Sequence, residues 1–119
     1  MNGQEHVQQA LATCVRVKER ASNMARTDDS RPTEWTARID SIAQTLAGLQ
    51  DRFFVRTKLC LPFAIRCADE ARKVEEALTA LADARGDDAH RNVLTALSTL
   101  ERAARALEER SSMDGMAIT

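Results

Sequence analysis

Three cysteines and two histidines are the side chains of this chain best suited to bind a metal or to act as nucleophiles. Cys60 and Cys67 fall on one face of a helix, but two helical turns separate them by about 10 Å. Thiols that far apart need further ligands to share a zinc ion, and the nearest metal-like spacing, Asp87 with His90, is a single match. The sequence therefore predicts buried, reduced thiols, no metal site and no cofactor.

Other kinds of chemistry have no support in the sequence either. His6 and His90 have no serine or cysteine partner in a recognisable spacing, and there is no glycine-rich phosphate loop. We expect that the protein is not an enzyme. A formal net charge of -1 argues against nucleic-acid binding, which needs a basic surplus. The apolar run 59–65 is too short to span a membrane and the first residues are polar, so we expect a cytoplasmic protein that has no membrane contact.

The most unusual local composition lies between residues 52 and 68, which carry basic and aromatic side chains and no acid. These side chains are Arg52, Arg56, Lys58 and Arg66, interleaved with Phe53, Phe54 and Phe63. Adjacent Phe53 and Phe54 would lie about 100° apart on a helix, so at least one is expected at the edge of the core, available to a partner. Arg56 falls on the apolar stripe, where it either covers apolar surface with its stem or forms a binding hot spot.

Apolar residues recur at steps of three and four through most of the chain, which is helical spacing. The pattern predicts a first helix from about Glu5 to Ala25 and a last helix from about Asp88 to Glu109. Capping and breaking residues predict one turn inside 26–33 and a second at 85–88. Trp35 is expected to anchor one end of the bundle. The stripe keeps its phase across Pro62, which predicts a kink inside one long helix.

Short loops between such helices favour antiparallel neighbours, so the fold class is all-α, an antiparallel up-and-down helical bundle. We expect three long helices with a proline kink near Pro62; if Pro62 is a true break, there are four helices. Residues 1–110 are expected to form a single domain, and 111–119 a flexible tail.

One segment supports a resemblance to a known family. Residues 57–62, Thr-Lys-Leu-Cys-Leu-Pro, resemble the Thr-Lys-x-x-Leu-Pro stretch in the second helix of some members of the tubulin-binding cofactor A family. Residues 16–19, Arg-Val-Lys-Glu, are similar to the run ending in Lys-Glu in the family's first helix. Chain length and the position of the Leu-Pro pair slightly past the midpoint agree with that layout.

The resemblance implies a small cytosolic, cytoskeleton-associated chaperone that binds β-tubulin during assembly of the tubulin heterodimer, without nucleotide or metal. The basic and aromatic stretch would form the binding face, and Lys18 and Glu19 join the candidate residues through the matched motif. A monomer or weak homodimer is expected. The alternative is a non-enzymatic scaffold subunit of a larger cytoskeletal or tethering complex, which would aggregate without its partner.

Overall fold

Four α-helices account for most of the protein in a computed structural model, which describes residues 2–24, 31–50, 52–83 and 87–118. They are α1 (Gly3–Met24), α2 (Arg31–Gln50), α3 (Leu61–Asp83) and α4 (Asp87–Ile118), with a short 3-10 helix (Phe53–Arg56) between α2 and α3. No strand occurs in these described ranges. The all-α class and the four-helix alternative are confirmed, and the preferred count of three helices is wrong.

Both predicted chain reversals fall between helices. The first separates Met24 from Arg31, and the second separates Asp83 from Asp87. Residues 25–30 and 84–86, which hold most of the predicted turns, lie outside the described residues. The start of α1 is well defined, because the amide of Glu5 donates to the side-chain oxygen of Asn2 at 3.2 Å, as expected for an N-cap.

The break between α2 and α3 comes before Pro62, and the predicted proline kink is wrong. After Gln50 the chain forms the 3-10 helix and a turn over 57–60, and Pro62 is the second residue of α3. Proline is well tolerated in a first helical turn, where its missing N–H would have no intrahelical acceptor. The core continues through the break, because Val55 in the 3-10 helix and Cys60 at the end of the turn are both fully buried, but its phase changes there: Val55 replaces the stripe position Arg56, which is exposed.

The helices alternate in direction, yet two pairs of neighbours are parallel. α1 packs against α2 and α3, and α4 packs against α3 and α2. Contacts at a nearly constant sequence offset show that these pairs are parallel. Arg16 bonds to Glu75 and Arg20 to Thr79, which joins α1 to α3. Arg38 of α2 bonds to Ser98 of α4, and Arg52, just after α2, bonds to Ser111 of α4. The connection from α2 to α3 therefore crosses to the opposite corner of the bundle.

One core runs along this bundle and contains the apolar stripe that the sequence shows. Its largest fully buried side chains are Trp35, Ile39, Leu46, Leu49, Leu97, Leu100, Leu107, Val7, Val17, Val55, Val74 and Val93. Trp35 is 1% exposed and its ring lies 5.4 Å from that of His90, so it is the anchor that the sequence predicts. The molecule measures 52 × 19 × 18 Å, the shape expected of a single bundle.

The last helix is longer than expected. The sequence predicts that α4 ends near Glu109 and is followed by a flexible tail over 111–119, but the helix continues to Ile118. Ser111 explains part of the difference, because it is buried and its hydroxyl donates to the carbonyl of Glu108 at 3.0 Å. The predicted end of the last helix near Glu109 is thus wrong, and the flexibility of residues 111–119 stays a prediction.

Candidate partner-binding surface

The predicted basic stretch covers one end of the bundle. We call the described side chains of residues 52–66 the basic end. The 3-10 helix packs against α1, α3 and α4, and its own residue Val55 is completely buried. The start of α1 lies directly against the 3-10 helix, since a β-carbon at Gly3 would overlap the carbonyl oxygen of Val55. This close packing holds the surrounding side chains at the surface.

The four cations of the basic end are all exposed. Arg52 donates from Nη1 to the hydroxyl of Ser111 at 3.2 Å, which ties it to α4. Arg56, Lys58 and Arg66 make no ion pair among the residues that the structure describes. These three positive charges are therefore available to an acidic partner.

The large apolar residues that the structure describes as exposed at the basic end are not among the predicted candidates, and the prediction for Phe53 and Phe54 is not tested. The side chains of Phe53 and Phe54 lie outside the described part of the structure, and Phe63 is half-buried against the core. Leu59, 57% exposed, and Ile65, 37% exposed, are the large apolar side chains that reach solvent here. The sequence signal for both is the apolar run 59–65, which is too short to span a membrane but is long for a surface segment.

Lys18 and Glu19 do not belong to this surface. Both are exposed on α1, but they lie about 22 Å along the helix from its start at Gly3. Lys18 also forms an ion pair with Asp40 of α2, with 2.7 Å between Nζ and Oδ1. The structure thus separates these two candidates from the basic end and gives Lys18 a role in joining α1 to α2.

The structure also brings acids close to a stretch that has none in sequence. Glu5 is exposed in the first turn of α1, next to the 3-10 helix, and Glu108 is exposed one turn before Ser111 on α4. These carboxylates weaken the positive potential at the edges of the basic end. The part that stays cationic is the turn and the first turns of α3.

A surface groove between the parallel helices α1 and α3 continues from this part. Its volume is about 550 Å³. Its lining residues are His6, Gln9, Ala12, Thr13, Arg16, Ile65, Ala68, Asp69, Arg72 and Glu75. Ile65 lines the groove and also a neighbouring depression on α3, which contains Pro62 and Arg66 and, further along the helix, charged residues of both signs. The groove and the basic end are therefore contiguous.

An ion pair closes the far end of the groove. Arg16 donates from Nε to Oε2 of Glu75 at 2.9 Å, and its Nη2 donates to the hydroxyl of Thr13 at 3.1 Å. The hydrogen bond from Arg16 holds the pKa of Glu75 below its ordinary value, with a further contribution from the positive charge. Arg72 pairs with Asp69 lower in the groove, so the charges that line it are largely matched.

The buried thiols are poorly placed for chemistry. Burial raises the pKa of Cys14 to about 11 and that of Cys67 to about 12, with a smaller contribution to Cys67 from the neighbouring Cys14. Thiols with such pKa values carry almost no thiolate at neutral pH and are weak nucleophiles. Cys60 is also fully buried.

Among the described residues, no group of three or more His, Cys, Asp or Glu side chains could hold a metal ion. None of the described helices has the length and apolarity needed to cross a membrane. Comparison of the chain with protein-family models, with curated proteins and with solved structures finds no match. The features that bear on function are therefore the basic end and the groove beside it.

Proposed function

We propose that this protein is a non-enzymatic interaction module that binds an acidic protein partner through its basic end. The observation that carries the proposal is the exposure of Leu59 and Ile65 among the unmatched charges of Arg56, Lys58 and Arg66. In such a surface, charges accelerate encounter and apolar side chains supply affinity once water is excluded.

β-Tubulin is the partner that we propose, and a cytoplasmic tubulin chaperone is the corresponding role. The support is the resemblance of residues 57–62 to the cofactor A family, together with the position of this segment at the surface turn of the basic end. The four helices and the break before Pro62 depart from the layout that the resemblance implied, where the Leu-Pro pair lies inside the second helix. The short motif and the surface therefore carry this part of the proposal, and the layout does not.

The scattered distribution of the exposed apolar residues favours a self-contained module over the alternative, an obligate scaffold subunit. The exposed large apolar side chains of the described residues are Val15, Leu59, Ile65 and Leu94. Val15 and Leu94 lie singly on α1 and α4, so the described surface lacks the continuous apolar stripe that an obligate subunit would bury. We accordingly propose that the protein is a monomer or a weak homodimer in solution.

A charge-reversal experiment tests the proposed function. Arg56, Lys58 and Arg66 are changed together to Glu, and association with purified tubulin is measured by stopped-flow fluorescence at low and high salt. We expect the association rate constant to fall about 10-fold or more at low salt, and the difference to shrink as salt screens the charges over about 10 Å.

The matched control reverses Arg91, Arg102 and Arg105, which are exposed on α4 and give the same change in net charge. The control should associate within about twofold of the wild type, because steering depends on charge near the binding surface. If wild-type protein does not bind tubulin, the named partner is wrong. If both triple variants are equally slow, the basic end is not the binding surface.

A further inference from the structure

We propose that the groove between α1 and α3 receives an acidic amphipathic helix of the partner. The inference rests on the proposed function, since it assumes a protein partner at the basic end, and it identifies which element of that partner binds and where. The acidic helix would start over the basic end and lie along α3.

The shape of the groove suits a helix. Two parallel helices form its walls, and its residues run from His6 to Arg16 on α1 and from Ile65 to Glu75 on α3, which is about 15 Å along each helix. Adding the turn before α3 extends the surface to roughly four turns of a bound helix. Helices that bind in grooves bury one apolar face through residues spaced by three, four and seven.

The floor and the rim of the groove differ in chemistry. Ala12 and Ala68 are short side chains that allow close approach of another helix, and Ile65 supplies the exposed apolar anchor. The charged side chains that line the groove are already paired, Arg16 with Glu75 and Arg72 with Asp69. A bound helix therefore finds little unmatched charge along the groove itself.

Unmatched positive charge lies at one end, where three exposed cations outnumber the exposed carboxylate of Glu5 in the first turn of α1. Arg66 stands beside Ile65 on α3, and Arg56 and Lys58 precede α3 on the 3-10 helix and its turn. Charge complementarity therefore requires carboxylates at the part of the partner helix that lies over the basic end. A basic helix of the same apolar pattern would be repelled there, which distinguishes acidic from basic occupants.

Two synthetic helical peptides serve as probes. Both have about 16 residues, with leucines spaced for one apolar face and alanines elsewhere on it; one carries Glu at the polar positions and the other carries Lys. Binding to the full-length ¹⁵N-labelled protein is followed by NMR chemical-shift mapping. We expect saturable shifts at residues 6–16 and 58–75 with the Glu peptide, and affinity lower by about 10-fold or more with the Lys peptide.

Two variants with matched controls locate the binding. Ala12→Phe fills the groove, whereas Ala47→Phe makes the same change at an exposed alanine of α2. Ile65→Glu places a negative charge in the groove, whereas Val15→Glu does so at an exposed aliphatic position of α1 that does not line it. We expect both groove variants to weaken Glu-peptide binding about 10-fold or more and both controls to stay within about twofold.

Several outcomes would overturn the inference. These are equal binding of the two peptides, shifts centred on another face, or no saturable shift at millimolar peptide. Tubulin binding that is unaffected by Ala12→Phe and Ile65→Glu would also overturn it, while leaving the proposed function in place. If the wild type binds the Glu peptide in the groove but does not bind tubulin, only the identity of the proposed partner is wrong.

Discussion

At the residue scale, burial decides what the reactive side chains of this protein do. Cysteine and histidine attract attention in a short sequence, but Cys14 and Cys67 lie in the core between α1 and α3, where their thiols act as small apolar groups. The side chains with functional potential are ordinary ones, Leu59 and Ile65, which are apolar and yet exposed.

The buried thiols predict a loss of stability at alkaline pH. Below pH 9 the thiols are protonated in both the folded and the unfolded state. Above it, unfolded thiols ionise, whereas Cys14 and Cys67 keep their protons until their pKa values of about 11 and about 12. The free energy of unfolding should therefore fall as pH rises, by up to about 1.4 kcal/mol per pH unit for each thiol.

Urea denaturation between pH 7 and pH 10.5, under reducing conditions, measures this slope. Tyrosine is absent from the chain, so its ionisation does not overlap with that of the thiols. Cys67→Ala should lower stability at pH 7 by leaving a cavity and should also make the alkaline slope shallower. A slope unchanged by this substitution would mean that Cys67 ionises as readily in the folded as in the unfolded protein.

The ion pair between Arg16 and Glu75 predicts that part of the stability is lost at acidic pH. The pKa of Glu75 is lowered in the folded state, so its contribution to stability is present above the ordinary carboxyl pKa and is lost as pH falls through the lowered value. Glu75→Gln should be less stable than wild type at pH 7 and equally stable at pH 2.5. Thermal unfolding at both pH values measures the difference, and a deficit that persists at pH 2.5 would contradict the electrostatic explanation.

At the element scale, the main determinant of the fold is the connection from α2 to α3. The sequence predicts the helical stretches well, because an apolar step of three and four is a local property. The break after Gln50 has no comparable local signal, since it is stabilised by packing of the 3-10 helix, with its fully buried Val55, against three other helices. Pro62 suggested a kink because sequence alone does not distinguish a first helical turn from an interior one.

Substitutions at two glycines distinguish close packing at the 3-10 helix from local helix propensity. Gly3→Ala should destabilise the protein by about 1–3 kcal/mol, because the new β-carbon would overlap the carbonyl oxygen of Val55. Gly48→Ala is the matched change, since a β-carbon there meets nothing within 4 Å, and it should stabilise α2 by up to about 1 kcal/mol. Urea denaturation of both variants measures the two signs, and a neutral Gly3→Ala would show that α1 does not press against this turn.

At the scale of the whole molecule, parallel packing of α1 and α3 creates the groove and places it next to the basic end. Sequence periodicity could not predict this arrangement, because short loops specify which helices follow each other and not which occupy opposite corners. The basic residues were predicted from composition. The hydrogen bond from Arg52 to Ser111 was not, because Ser111 reaches the same end only through α4. Exposure of Leu59 depends likewise on a turn that the sequence did not predict.

Hydrogen exchange measured by mass spectrometry, with and without saturating tubulin, tests the central claim most directly, because it locates the binding surface on the unmodified protein. We predict slower exchange over residues 52–75 and 6–16 in the complex, with the exposed face of α2 around Ser41 and Gly48 unchanged. Protection confined to α2, or no protection anywhere at saturating tubulin, would contradict the account.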